Sequence, residues 1–306
     1  MQTPNSHEIA VIGSGVAGLA AAVRAASAGA SVVCFEASAM VGGLVANIGR
    51  LDDYPGVSAL AGTTLADGLA TRARELGVVM VNAEVTALAS AQGGLSIAAG
   101  PGRYSARAVI VASGANLRKL GVPGESELSG RGVSQCDWCD GGLYRGKRVA
   151  VVGGGNAACQ AALHLAEGCE SVLLVVRGPM LRARRDYVTR VADNPKIEFQ
   201  WEMAVESIAG ADGVAGLVLK NLVDGSTSNE SCAAVFVFAG LMPNLQFAPD
   251  ALKCDGDGFA LTDAEYRSSL PGVFVVGAAR SGNEGSLVSA MGEAVSAAAI
   301  AAAGLD

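Results

Sequence analysis

The first 36 residues already restrict this chain to a small group of folds. A short, mainly apolar strand at residues 8–11 runs on into Gly13-Ser14-Gly15-Val16-Ala17-Gly18. An alanine-rich helix is predicted from there to about residue 28, where Gly29 stops it. A second apolar strand, residues 31–35, ends at Glu36. Strand, G-x-G-x-x-G turn, helix, strand and terminal acid, in that order, make a βαβ unit suited to a dinucleotide. The glycines permit a tight turn and let a pyrophosphate approach the N–H groups at the helix start. Glu36, 18 residues beyond Gly18, stands where a carboxylate can accept hydrogen bonds from a ribose.

The pattern then recurs. An apolar strand at residues 148–152 leads into Gly153-Gly154-Gly155-Asn156-Ala157-Ala158, with alanine in place of the last glycine. A helix to about residue 167, a strand at 171–176 and Arg177 follow. This strand end carries no acid. Arg177 and Arg182 lie at or just beyond it, and arginine is what a 2′-phosphate requires. The competing reading is a solvated basic stretch, because Arg184, Arg185 and Arg190 are also here.

Further strands are expected at residues 78–85, 95–98, 108–112, 197–201, 216–220, 233–239 and 272–276, and an alanine-rich helix at 287–303. The expected fold class is α/β, with two Rossmann-like dinucleotide-binding domains, the second inserted into the first. Residues 1–116 and 247–306 would form one discontinuous domain and residues 117–246 the insert. Two domains also suit a length of 306 residues.

Composition narrows the partners. There are 22 basic and 29 acidic residues, a net charge of −7, which argues against nucleic acid and anionic membranes. No apolar run approaches the ~20 residues that cross a bilayer. The first strand begins too early for a basic-then-apolar leader, so a cytoplasmic protein is expected. The 41 glycines are not periodic and cluster at strand ends. The seven cysteines are an odd number and five are scattered, unlike a secreted disulfide framework. Those five read as small buried apolar residues. With only His7 and His164, a histidine metal site or a Ser–His triad is not expected, and no metal is.

The exception among the cysteines is Cys136-Asp137-Trp138-Cys139. Cys-x-x-Cys places two thiols within bonding reach, and a disulfide there accepts two electrons. Zinc would need a second close Cys/His pair, which the sequence lacks, so a redox dithiol is the stronger reading. Asp137 and Asp140 flank the thiols, and an adjacent carboxylate can carry a proton to or from a thiolate. Asp140 equally suits a turn before Gly141-Gly142.

Taken together, residues 13–18, Glu36, Gly42-Gly43, Tyr54-Pro55-Gly56, Ser113-Gly114, Cys136 to Cys139 with Asp140-Gly141, residues 153–158 and Pro243-Asn244 make the chain resemble a known family. It is similar, over nearly its whole length, to the low-molecular-weight thioredoxin reductases, FAD-containing pyridine nucleotide–disulfide oxidoreductases. Residues 139–156 also resemble the reductase subunit of the alkyl hydroperoxide system.

The resemblance implies FAD on the first unit and NADPH on the second, with electrons passing from nicotinamide to flavin, to the disulfide and on to an external disulfide. Cys139 would face the flavin, Cys136 would exchange with substrate and Asp140 would be the acid. Gly13, Ser14, Gly15, Ala17, Glu36, Gly43, Leu44, Asp53, Val85, Ser113, Gly114, Gly277 and Ala278 would lie along FAD. Gly153, Gly155, Asn156, Ala157, Arg177 and Arg182 would lie along NADPH. The implied partner is a thioredoxin-like protein or a small dithiol or disulfide, and the implied assembly a homodimer.

Several positions depart from the family pattern. Gly277-Ala278 replaces a Gly-Asp whose carboxylate holds the ribityl chain, Gly285-Ser286 replaces an Arg-Gln, Leu44 a Gln and Asp53 an Asn. On the nucleotide side Gly178 replaces an arginine and Gln160 an acid, so NADPH is expected to bind more weakly. Three alternatives to an NADPH-fed reductase therefore stand: a dithiol oxidase passing electrons to oxygen, a reductase fed by ferredoxin or another non-nicotinamide donor, and a flavin-binding subunit without turnover.

Overall fold

The structure, a computed structural model, describes residues 5–51, 54–55, 60–283 and 285–305. It divides into two compact units, one of residues 1–116 with 242–306 and one of residues 117–241. Each has its own sheet and its own apolar cores.

The first unit opens with β1 (Ser6–Ile12), α1 (Val16–Ser27) and β2 (Val32–Glu36). Next come α2 (Gly62–Glu75), β3 (Val79–Asn82), β4 (Val85–Ala91), β5 (Gly94–Ala99) and β6 (Gly102–Val111). Strands β3, β2, β1 and the second half of β6 pair in parallel, while β4, β5 and the first half of β6 form an antiparallel meander. The burial of β6 shows the switch. It alternates along the meander half and becomes continuous where both faces of the parallel sheet are covered.

The stretch 78–85, expected as one strand, is thus two. The chain breaks at Ala83-Glu84, so that β3 extends the parallel sheet and β4 turns into the meander. A continuous apolar run carries no sign of which partner each half will find.

The chain crosses into the second unit through β7 (Ala115–Leu117). There it forms β8 (Val133–Ser134), the short helix α3 (Asp137–Asp140), β9 (Arg148–Val152), α4 (Asn156–Gly168), β10 (Ser171–Val176), α5 (Arg185–Ala192) and β11 (Ile197–Trp201). An antiparallel sheet of β12 (Met203–Gly210), β13 (Val214–Asn221) and β14 (Thr227–Ser231) follows, and β15 (Val235–Val237) closes the unit. The parallel order is β11-β10-β9-β15-β8.

The chain returns through β16 (Leu241–Pro243) to β17 (Val273–Val275), which pairs with β6, and ends in α6 (Leu287–Ala303). The return belongs to the first unit from Met242, not from residue 247. The physical reason is Asn244, whose N–H and side chain bond Gly114 and Ser113.

Alternation along each central strand divides each unit into layers. Ile9 and Val11 of β1 pack with the alanines of α1 and α6, while Ala10 and Ile12 pack with the meander. In the second unit Val149 and Val151 face α4, and Ala150 and Val152 face β12 and β13. Cys34, Cys159, Cys169 and Cys232 are buried as expected, with burial pushing the Cys34 thiol up to about 12 and those of Cys159 and Cys232 to about 11. Cys254 departs from that expectation. It is exposed, in an irregular stretch that carries an isolated bridge to Ala260.

Candidate functional site

The first glycine turn sits where β1 ends. Gly13 has φ +101°, and a Cβ there would lie 2.4 Å from the Ala112 carbonyl oxygen, so β6 passes too close for any side chain. Ser14 is buried. Its N–H and Oγ both donate to Glu36 Oε2, at 3.0 and 2.6 Å, and Ser38 donates its N–H and Oγ to Oε1, at 2.9 and 2.8 Å. Burial raises the Glu36 pKa, but these four hydrogen bonds outweigh it and hold the carboxyl below its ordinary value.

Other expected flavin-side residues lie in the same unit. The Gly42 N–H donates to Ser14 O at 2.9 Å, which brings Gly43 and the half-exposed Leu44 beside the turn. A Cβ on Gly277 would lie 3.2 Å from that of Ala17, so the bend carrying Ala278 rests against the start of α1. Ser113 Oγ donates to Asn244 O at 2.6 Å. Val85 opens β4, buried in the same core as Phe35. Asp53 lies outside the described residues.

The second turn repeats the first. Gly153 has φ +146°, with the Phe238 carbonyl oxygen 2.4 Å from where a Cβ would be. The Arg182 N–H donates to Gly154 O at 2.7 Å and the Arg184 N–H to Asn156 Oδ1 at 2.8 Å, so the segment after β10 folds back onto the turn. Ala157 is in the first turn of α4. Arg184 is engaged, pairing with Asp186 and lying over the Tyr187 ring. Arg177 and Arg182 are exposed, and their guanidinium groups meet no partner among the described residues.

Two glycines show what these turns are built for. α1 starts from Gly15 (φ −63°, ψ 174°) and α4 from Gly155 (φ −97°, ψ −175°), both without a side-chain cap and without an acid in the first turn. Any residue adopts these backbone angles. A Cβ on Gly15 would have nothing nearer than Gly42 O at 4.0 Å, and one on Gly155 nothing within 4 Å. Neither conformation nor packing asks for glycine at these positions. A phosphate group that must come close to free N–H donors does. Both turns therefore fit a dinucleotide pyrophosphate.

The thiols lie on a single helical turn. Cys136 and Cys139 are disulfide-bonded, with Cα atoms 5.3 Å apart. Cys136 caps α3, and its Sγ accepts the Cys139 N–H at 3.1 Å. Cys139 is exposed, and Cys136 and Asp140 are partly so. The Asp140 charge helps burial raise the Tyr144 pKa. The second flanking acid, Asp137, is already engaged. It is buried, with its carboxylate 2.7 Å from His164 Nδ1.

Comparison with known proteins matches residues 7–298 to the pyridine nucleotide-disulphide oxidoreductases. The chain belongs to this family. It is 36% identical over 301 residues to thioredoxin reductase of Treponema pallidum, covering 98% of this chain and 97% of that one. Among solved structures it resembles the thioredoxin reductases of Lactococcus lactis (TM-score 0.93, 31% identity, 98% and 99% coverage) and T. acidophilum (0.91, 32%, 98% and 99%). Members of the thioredoxin reductase family use FAD, with NADPH as reductant.

For a member of the pyridine nucleotide-disulphide oxidoreductases, two features were missed in the sequence. The Gly277 turn lacks its own acid, yet a carboxylate reaches it. Glu293 of α6, 5% exposed, accepts the Gly277 N–H at 2.8 Å, Arg280 Nη2 at 2.5 Å and Asn283 Nδ2 at 3.0 Å. The signal was there, since Glu293 is the one charged residue of that helix. Ser286 caps α6 by accepting the Ser289 N–H. The second miss is His164, 27 residues from Asp137, which no spacing rule pairs with a dithiol.

Proposed function

We propose that this protein is a flavin-dependent disulfide reductase that takes electrons from NADPH and delivers them, through the Cys136–Cys139 pair, to the disulfide of a thioredoxin-like protein. The observation that carries this reading is a bonded Cys-x-x-Cys in a chain with two pyrophosphate-fitting glycine turns. The name thioredoxin reductase, shared by its relatives, points to the substrate.

FAD, when bound, supplies the two-electron relay between a nicotinamide and a disulfide. In this reading the turn at Gly13, Ser14, Gly15 and Ala17 holds its pyrophosphate, and Glu36 accepts the ribose hydroxyls in place of Ser14 or Ser38. Gly43, Leu44, Val85, Ser113, Gly114, Gly277 and Ala278 line the remainder. Gly153, Gly155, Asn156 and Ala157 take the NADPH pyrophosphate, and Arg177 and Arg182 the 2′-phosphate.

Cys136 is the exchanging thiol. The Cys139 N–H that its sulfur now accepts also stabilises its thiolate once the pair is reduced. That thiolate attacks the substrate disulfide, and Cys139 closes the mixed disulfide. Asp140 holds the proton that moves at Cys139. The same reading takes the molecule as a cytoplasmic homodimer that binds neither nucleic acid nor membrane. Its net charge of −7 suits this, and no helix among the described residues is long and apolar enough to cross a membrane.

Anaerobic titration tests the reading. NADPH should bleach the flavin band, and thioredoxin disulfide should restore it. Replacing both Arg177 and Arg182 with serine should weaken NADPH by about 10–100-fold per lost contact and leave NADH unaffected. Flavin that stays oxidised under NADPH but is reduced by ferredoxin or a dithiol would move the assignment to a different electron donor. Gly178 and Gln160 are the positions that motivate that comparison.

A further inference from the structure

The redox turn is gripped from α4 by two contacts that neither the disulfide nor the glycine turns require. His164 Nδ1 lies 2.7 Å from Asp137 Oδ2. A carboxylate accepts, so Nδ1 is the donor. The same imidazole stacks on the Trp138 indole, with ring centroids 3.8 Å apart and planes inclined by 15°. Asp137 and Trp138 are the two residues between Cys136 and Cys139, so both side chains of the inter-cysteine bridge close on one ring. The Asp137 and His164 side chains are only 12% and 24% exposed, which shields their bond from competing water.

This grip matters because α3 is four residues long. A helix far below about a dozen residues does not hold itself in water. In the oxidised protein the disulfide closes the turn covalently. Reduction opens that link, and the bridge then depends on its remaining contacts against the backbone entropy it would gain by fraying.

We infer that His164 is a positioning residue of the redox pair. By holding Asp137 and Trp138 it keeps the bridge folded while the disulfide is open, so that Cys136 and Cys139 stay within closing distance. The inference rests on the reading that this pair cycles between dithiol and disulfide. The closing step is balanced within that cycle. The Cys136–Cys139 S–S bond forms as an external disulfide is cleaved, and both enzyme thiol protons end on the two product thiols. Its equilibrium constant rises with the fraction of time the two thiols spend in reach of one another. Without His164 the open form gains conformations, and the couple shifts toward the dithiol, a weaker reductant.

The test is the thiol–disulfide equilibrium of the full-length protein in mixtures of oxidised and reduced dithiothreitol without oxygen. Acid quenching, alkylation and mass analysis then give the fraction in each state. His164→Ala should favour the dithiol by about tenfold, equivalent to ~30 mV. His164→Asn keeps a donor near the Nδ1 position and His164→Phe keeps the stack, so each should recover part of the shift. These two conservative variants carry the test if His164→Ala fails to fold. A second readout uses a Trp201→Phe background, in which Trp138 is the remaining tryptophan. Acrylamide should quench reduced His164→Ala more readily than reduced parent. Wild-type equilibrium constants in all three variants, or a shift toward the disulfide, would overturn the inference while leaving the functional reading standing. A wild-type pair that does not exchange with dithiothreitol at all would overturn both.

Discussion

Two carboxylates in the first unit do different work because their surroundings differ. Glu293 is committed to a buried pair. Its charge neutralises Arg280, whose pKa it raises chiefly by hydrogen bonding, and its second oxygen secures the Gly277 turn. Removing one partner of such a pair strands the other's charge, at a cost of about 3–5 kcal/mol. Urea unfolding should show Glu293→Ala losing about this much. Glu293→Ala with Arg280→Met should lose clearly less than the single change, because no unpaired charge remains. Glu36 instead ends a strand with both oxygens held by serine donors. Its folded pKa is depressed, so its contribution to stability is present in full above the ordinary glutamate value of ~4.3 and is lost as pH falls through the depressed value. Flavin-free protein should therefore lose stability on acidification from pH 5 to 3, and Glu36→Gln should flatten that limb. An unchanged acid limb in the variant would mean that the four hydrogen bonds do not favour the ionised form.

At the scale of elements, the strand–glycine–helix turn separates residues the fold needs from residues the ligand needs. Gly153 is demanded by the protein, with positive φ and a carbonyl oxygen inside the space of a Cβ. Gly155 is not. Gly153→Ala should destabilise the protein by several kcal/mol. Gly155→Ala should cost only about 1 kcal/mol, the difference between a glycine and an alanine N-cap, because no atom crowds its Cβ. It should nevertheless bind NADPH at least tenfold more weakly, as measured by calorimetry beside a thermal melt. Intact binding in Gly155→Ala would remove the argument that a phosphate approaches there. The turns were legible in the sequence because strand, glycines and helix are neighbours in the chain. The meander was not. Whether residues 78–85 form one strand or two depends on partners at 33–36 and 98–99, which local pattern does not reveal.

For the whole molecule, the insertion makes the two units unequal. The cores of the second unit draw on residues 117–241 alone, whereas the first unit's cores need both ends of the chain, including Phe274, Ala294 and Ala298. A fragment of residues 117–241 should therefore fold by itself and melt cooperatively. Deleting α6 from the full chain should unfold the first unit, because α1 would expose a face of alanines with nothing to cover it. A non-cooperative fragment by circular dichroism would show that its cores are not self-sufficient. The sequence by itself determined both strand–glycine–helix turns, the paired cysteines and the cofactor class, because the residues that write each motif stand a few positions apart. Tertiary structure alone decided that Glu293 serves the Gly277 turn, that Asp137 pairs with His164, and that among the described residues the Arg177 and Arg182 guanidinium groups meet no partner while that of Arg184 does. Those are choices among partners far apart in the chain, settled by which side chains packing brings within hydrogen-bond distance.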